Sequence, residues 1–211
     1  MIGICEGMMR YVLFILVAFL CGVSPSWAES GKDTRLEDCL HRAEKTPDET
    51  FAMAESWLKQ GGGDKARLCR AFAQFHRGEF KASGDEFAAL AAARDTKDPK
   101  QAVSLHAQAG LAYMRLEDHK RAEAEYAAAL RLEPQDPDIW MDRATERASS
   151  EHFWDAIEDL NKALAIMPDM TEALRLRGQV WTKLGLISRA RDDFMRAEDL
   201  ESGKSVSIPP Q

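Results

Sequence analysis

The chain is predicted to be all-α, a solenoid built from antiparallel helix hairpins stacked side by side. Two observations predict it. Pro134 and Pro168 lie 34 residues apart, and each closes a stretch in which Ala, a bulky apolar residue and Ala recur at the same offsets: Ala122, Tyr126, Ala129, then Ala156, Leu160, Ala163. A repeat of this length, with small residues where two helices must approach and a proline at the exit, describes a helix-turn-helix unit. Such a unit covers its apolar face only by stacking on copies of itself. A stack of this kind offers a surface rather than a reaction centre.

The first 28 residues read as an address. Arg10 precedes an apolar run from Tyr11 to Cys21, and Ser24-Pro25-Ser26-Trp27-Ala28 follows, with small residues where a signal peptidase reads. This predicts a secretory signal cleaved after Ala28, which gives a periplasmic or secreted protein. The alternative is an uncleaved membrane anchor, against which the run is short of the roughly 20 residues a span needs. Leu20 before Cys21 is too bulky for a lipoprotein motif, and Glu6 is an odd guest that a start at Met8 or Met9 would remove. Glu6 and Arg10 cancel, so the mature chain keeps the formal net charge of −7. An acidic chain without a basic run is a poor partner for nucleic acid.

Residues 29–63 are expected to form a first helical hairpin. One helix is predicted from about Asp33 to Lys45, a second from Pro47 to Gln60 after the Thr46-Pro47 break, and a third from Asp64 to His76. Gly61-Gly62-Gly63 stops the second, and Asp64 is expected to N-cap the third. Cys39 and Cys69 fall at matching places on the first helices of two successive hairpins. In an oxidising compartment they are expected to bridge, closing a loop of about 30 residues and adding roughly 3 to 4 kcal/mol. The alternative is two buried thiols. No His or second Cys stands at metal-ligand spacing from either, so no metal site is expected.

Residues 64–102 read as a degenerate unit. Gly78-Glu79-Phe80 makes the turn, Ala71 lies at the close approach, Phe87 and Leu90 are on the second helix, and about five extra residues around Arg94 to Lys100, Pro99 included, follow. Residues 103–136 carry Ala109-Gly110, Tyr113, Ala122, Tyr126, Ala129 and Pro134. Residues 137–170 carry Trp140, Ala144, Ala156, Leu160, Ala163 and Pro168, with Arg147 where an aromatic is expected. Residues 171–202 carry Gly178, Trp181, Ala190, Phe194 and Ala197, and end at Ser202 without a proline; residues 203–211 are read as a tail. This pattern resembles the tetratricopeptide repeat family, whose signature is Trp, Leu-Gly and Tyr on a first helix, then Ala, Phe, Ala and Pro. The resemblance covers about 140 residues and implies a right-handed superhelical array.

In that family the first helices line a concave groove, so the resemblance implies a partner-binding wall here made of Gln108, Leu111, Met114 and Arg115, then Asp138, Met141, Asp142 and Thr145, then Arg175, Gln179 and Lys183. Both charge signs and two methionines suit an extended or helical peptide. The carboxylate-holding groove known in the family needs Lys, Asn and Arg, where this chain has Ala107, Leu111, Asp142, Glu172 and Leu176, so chaperone tails are excluded. One unit earlier in register the places hold Leu68, Phe72, Gln108, Asp138 and Asp142, which serve no better. The five histidines (His41, His76, His106, His119, His152) are scattered and form no zinc or catalytic motif. His106 reads as a satisfied packing residue. Trp154 has no assigned burial: either it anchors a partner on the outer edge or a loop covers it.

The resulting expectation is an exported, non-enzymatic scaffold or adaptor without a cofactor. It would bind a protein or peptide and touch the membrane only through the signal segment, with assembly of an envelope or secretion complex as the setting. The alternatives are a self-associating solenoid joined through Met195 and Leu200, and the regulatory subunit of an enzyme.

Overall fold

The computed structural model describes residues 34–203; the predicted signal, the start of the first helix at Asp33 and residues 204–211 of the tail lie outside them. The chain divides into two units, residues 1–35 and 36–211, and the helical array belongs to the second. Among the described residues there is no strand. Ten helices follow one another: α1 (Thr34–Lys45), α2 (Pro47–Lys59), α3 (Gly63–His76), α4 (Phe80–Ala92), α5 (Pro99–Arg115), α6 (His119–Leu132), α7 (Pro137–Ser149), α8 (Phe153–Ile166), α9 (Thr171–Lys183) and α10 (Ile187–Glu201). None of them is long and apolar enough to cross a membrane.

Local chemistry sets the boundaries. Pro47, Pro99 and Pro137 occupy first helical turns, where the missing N–H costs nothing. Asp98, Asp118 and Asp136 cap α5, α6 and α7, accepting from the backbone N–H of Gln101 (3.2 Å), Arg121 (3.1 Å) and Asp138 (3.0 Å). Four hairpin turns each place one residue in the left-handed region at the same structural position. It is Gly78 (φ 78°) and Gly185 (φ 75°) in two of them, but Glu117 (φ 59°) and Glu151 (φ 64°) in the others. Each glutamate carries a strain of about 1 kcal/mol that glycine avoids.

Two boundaries differ from expectation. Asp64 does not cap α3: Gly62 holds the cap position without a side-chain bond, and the Asp64 carboxylate instead receives Arg94 Nη2 at 2.8 Å. The helix begins one residue earlier, at Gly63, which stands at φ 54°, and this places Asp64 in the first turn. Pro99 is not part of a spacer, because the Asp98-Pro99 pair starts α5 four residues before Val103 and leaves 93–98 as the connection.

Within hairpins, α5 packs on α6, α7 on α8 and α9 on α10. The approach is close because one partner lacks a side chain. A Cβ on Gly110 would lie 2.8 Å from the Tyr126 ring, and one on Gly178 would lie 2.7 Å from the Phe194 ring. In the middle hairpin the equivalent positions are Ala144 and Leu160, a larger small residue facing a smaller large one. Between hairpins, α4 and α5 are drawn equally tight: a Cβ on Gly84 would lie 2.7 Å from the Tyr113 ring, and Tyr113 Oη donates to Asp85 at 2.8 Å. Two apolar clusters result, one spanning α3 to α7 and one spanning α7 to α10, with Trp140 packed against both.

A carboxylate on each second helix from α4 onward meets a cation on its own hairpin's first helix. Glu86 receives Arg67 (2.5 Å) and Arg70 (2.6 Å), Glu125 receives His106 (2.6 Å), Asp159 receives Arg143 (2.9 and 2.7 Å), and Asp193 receives Arg177 (2.8 and 2.6 Å). Arg147, standing where the pattern calls for an aromatic, joins this seam, bonding Asp159 at 2.8 Å and Glu123 at 2.5 and 3.1 Å. Its long aliphatic stem fills space that a ring would take while its head completes the ion network.

Cys39 of α1 and Cys69 of α3 are joined by a disulfide, Cα to Cα 5.8 Å, at the apolar cluster that holds Ala54, Trp57 and Ala66. At the other end, α10 turns a polar face outward. Ile157 and Leu164 of α8 are buried with Ala173 and Leu174 of α9, whereas 34 residues on, α10 carries exposed Arg191 and Glu198. This polarity disfavours stacking of another copy onto α10, although Met195 is 55% exposed there.

Gly178→Leu should lower the unfolding free energy by about 1 to 3 kcal/mol through overpacking against Phe194, measured by urea denaturation. Asp159→Asn leaves two guanidinium groups facing an amide in a site where the acid is only 2% exposed, and should cost about 3 kcal/mol by the same measurement.

Candidate partner-binding surface

The candidate wall read from the sequence lies on α5, α7 and α9. Gln108, Leu111 and Met114 are half-buried and Arg115 is exposed. On α7, Asp138 is exposed while Met141, Asp142 and Thr145 are half-buried. Met114 packs against one apolar cluster and Met141 against the other, so each is half committed to the core and half presented. Thr145 Oγ1 donates back to the Met141 carbonyl at 2.9 Å.

On α9, Gln179 and Lys183 are exposed. Arg175 is held by a bidentate pair with Glu201 of α10 at 3.0 and 2.6 Å, so its charge is already matched within the chain. That engagement could not be read from the repeat pattern, because Glu201 lies at the last position of α10.

Asp142 is electrostatically distinctive. Burial, and then the neighbouring charges of Asp138 and Asp136, push its carboxyl up to about 6, and it accepts no hydrogen bond among the described residues. Its charge in turn raises the Tyr126 hydroxyl well above its ordinary value, after burial as the main cause. Close by on α7, Glu146 is buried and its carboxyl is raised by burial and by Glu123, against the hydrogen bond from His119 Nδ1 at 3.0 Å. The wall is thus acidic at its centre and carries the cations Arg115 and Lys183 toward its ends.

His106 is no free base. Nδ1 lies 2.6 Å from Glu125 and Nε2 lies 3.0 Å from Asp95, and since carboxylates only accept, both ring nitrogens must donate. The ring is an imidazolium that pins the 93–98 connection onto α6. Burial opposes the charge, but the bonds to Glu125 and Asp95 outweigh it, and the pKa is raised above 6.5. Trp154 is 59% exposed and stands edge-on to Trp181 with centroids 6.0 Å apart, so no loop among the described residues covers it. Sequence reasoning missed the seam acids Glu86, Glu125, Asp159 and Asp193, although the last three recur at 34-residue spacing.

The hairpins and the wall they leave uncommitted define a helical-repeat protein. Residues 103–145 match the tetratricopeptide repeat family model. Among solved structures the chain is similar to MamA. One crystal structure of MamA aligns at 17% identity with a TM-score of 0.66, covering 77% of this chain and 92% of that one. MamA from Desulfovibrio magneticus RS-1 aligns at 16% identity with a TM-score of 0.68, covering 82% and 94%. These likenesses concern the fold. No curated protein sequence matches the chain.

The His106 clamp makes stability depend on pH. A folded pKa above the unfolded 6.5 gives stability that is complete below 6.5 and lost as pH rises through the folded value. The thermal midpoint should therefore fall as pH is raised from about 6.5 through that value, and His106→Gln should remove this component of the pH dependence.

Proposed function

We propose that this chain is an exported, non-enzymatic adaptor that holds a segment of another polypeptide on the wall formed by α5, α7 and α9, with a Lys or Arg of the segment against Asp142. The observation that carries this reading is the Asp142 carboxyl: it is desolvated, crowded by Asp136 and Asp138, and matched by no cation among the described residues. A cationic side chain would relieve that repulsion, and half-buried Met114 and Met141 on either side supply adaptable apolar contact. The leader pattern around Arg10 and Ala28 and the Cys39–Cys69 disulfide both favour a compartment outside the cytoplasm. Assembly of an envelope or secretion complex is the setting in which such an adaptor would act.

The test is recovery of partners from an envelope fraction by the tagged chain, identified by mass spectrometry. Recovery should be lost with Met141→Glu combined with charge reversal at Lys183; survival of the partner through those changes would refute the wall. For a basic peptide derived from a recovered partner, affinity should rise as pH increases through about 6, where Asp142 ionises. Asp142→Asn should flatten that rise and weaken binding at neutral pH about tenfold, measured by calorimetry.

A further inference from the structure

The first helix is attached differently from the other nine. Its buried residues are Cys39 and Ala43, two small side chains, with Leu36 partly packed and Leu40 exposed. Among its polar bonds are two at the joint with α2: Arg42 pairs with Glu49 at 3.4 Å, and the Arg42 carbonyl receives Thr46 N at 2.8 Å. Helices α2 and α3, by contrast, pack extensively on one another, and α3 is tied onward by Arg70, which bonds Glu55 of α2 at 2.9 Å and Glu86 of α4 at 2.6 Å. The covalent tie from α1 to α3 is Cys39–Cys69.

A twelve-residue helix has little stability of its own in water. In a repeat array each unit depends mainly on its neighbours, so a terminal element can detach while the remainder stays folded. We propose that the docking of α1 is conditional on oxidation of Cys39 and Cys69: with the two thiols free, α1 leaves the α2–α3 pair and uncovers the apolar side chains around Ala54 and Ala66. In the docking direction, the thiolate of one cysteine attacks the disulfide of a disulfide-bearing oxidant and expels one oxidant thiolate. The second protein thiolate then attacks the mixed disulfide and expels the other. Two electrons pass from the protein to the oxidant, which leaves as a dithiol after taking up the two protons that the cysteines released. The chain therefore carries a first helix whose placement reports the redox state of its surroundings.

Hydrogen exchange on the full chain, oxidised and in excess dithiothreitol, tests this. The amides of Asp38 to Lys45 should exchange at least about tenfold faster after reduction, while those of α5 to α10 change by less than about twofold. Cys39→Ala/Cys69→Ala, untreated, should reproduce the reduced pattern, and reoxidation of the wild type should restore protection. Retention of protection in α1 after reduction would overturn the proposal, because the bridge would then be dispensable for docking. Loss of protection throughout the chain, or failure of the double variant to fold, would also overturn it, because the bridge would then stabilise the whole array.

Discussion

The spacing between paired helices depends on a small residue lying under a large one. Gly110 beneath Tyr126, Gly178 beneath Phe194 and the gentler Ala144 with Leu160 set how near the two backbones of a hairpin come. Once that distance is fixed, the ring of each second helix fills the gap that a Cβ would have occupied, and the Ala positions on either side follow as the residues that fit. Gly84 under Tyr113 extends the same device to a junction between hairpins, which explains why α4 and α5 are as intimate as any pair within a hairpin.

The charged seam complements this packing. From α4 onward, each hairpin places one largely shielded acid of its second helix against a cation of its first. The cation shifts by one turn between hairpins, Arg143 and Arg177 standing in one register and Arg67 and His106 in another, yet the pairing persists. Charge and packing together consume nearly every signature position. Asp142 of α7 belongs to neither, and stands without an internal counterion among the described residues.

The array is legible in the sequence because its determinants are local and periodic: alanines and aromatics at fixed offsets, prolines at exits, and two cysteines at matching helix positions that the structure joins. The parts that escape depend on the third dimension or on competition between neighbours. Asp64 reads as a cap, but a triple glycine lets the helix start ahead of it and frees the carboxylate for Arg94. Pro99 reads as a spacer, but behind Asp98 it begins a helix. Arg147 reads as a defect in the signature and is instead a joint between two acids. Of the wall residues, the engagement of Arg175 by Glu201 and the raised carboxyl of Asp142 arise from proximity that no spacing rule announces. The leader and most of the tail fall outside the described residues.

The polar outer face of α10 has a meaning for anyone who would lengthen this protein. Where α8 offers Ile157 and Leu164 to the following helix, α10 offers Arg191 and Glu198, so a module grafted behind Glu201 would trap two ions against its apolar side. Extension by design must first restore aliphatic side chains at those two sites. Left as they are, the two ions set a desolvation cost against any helix laid across this face.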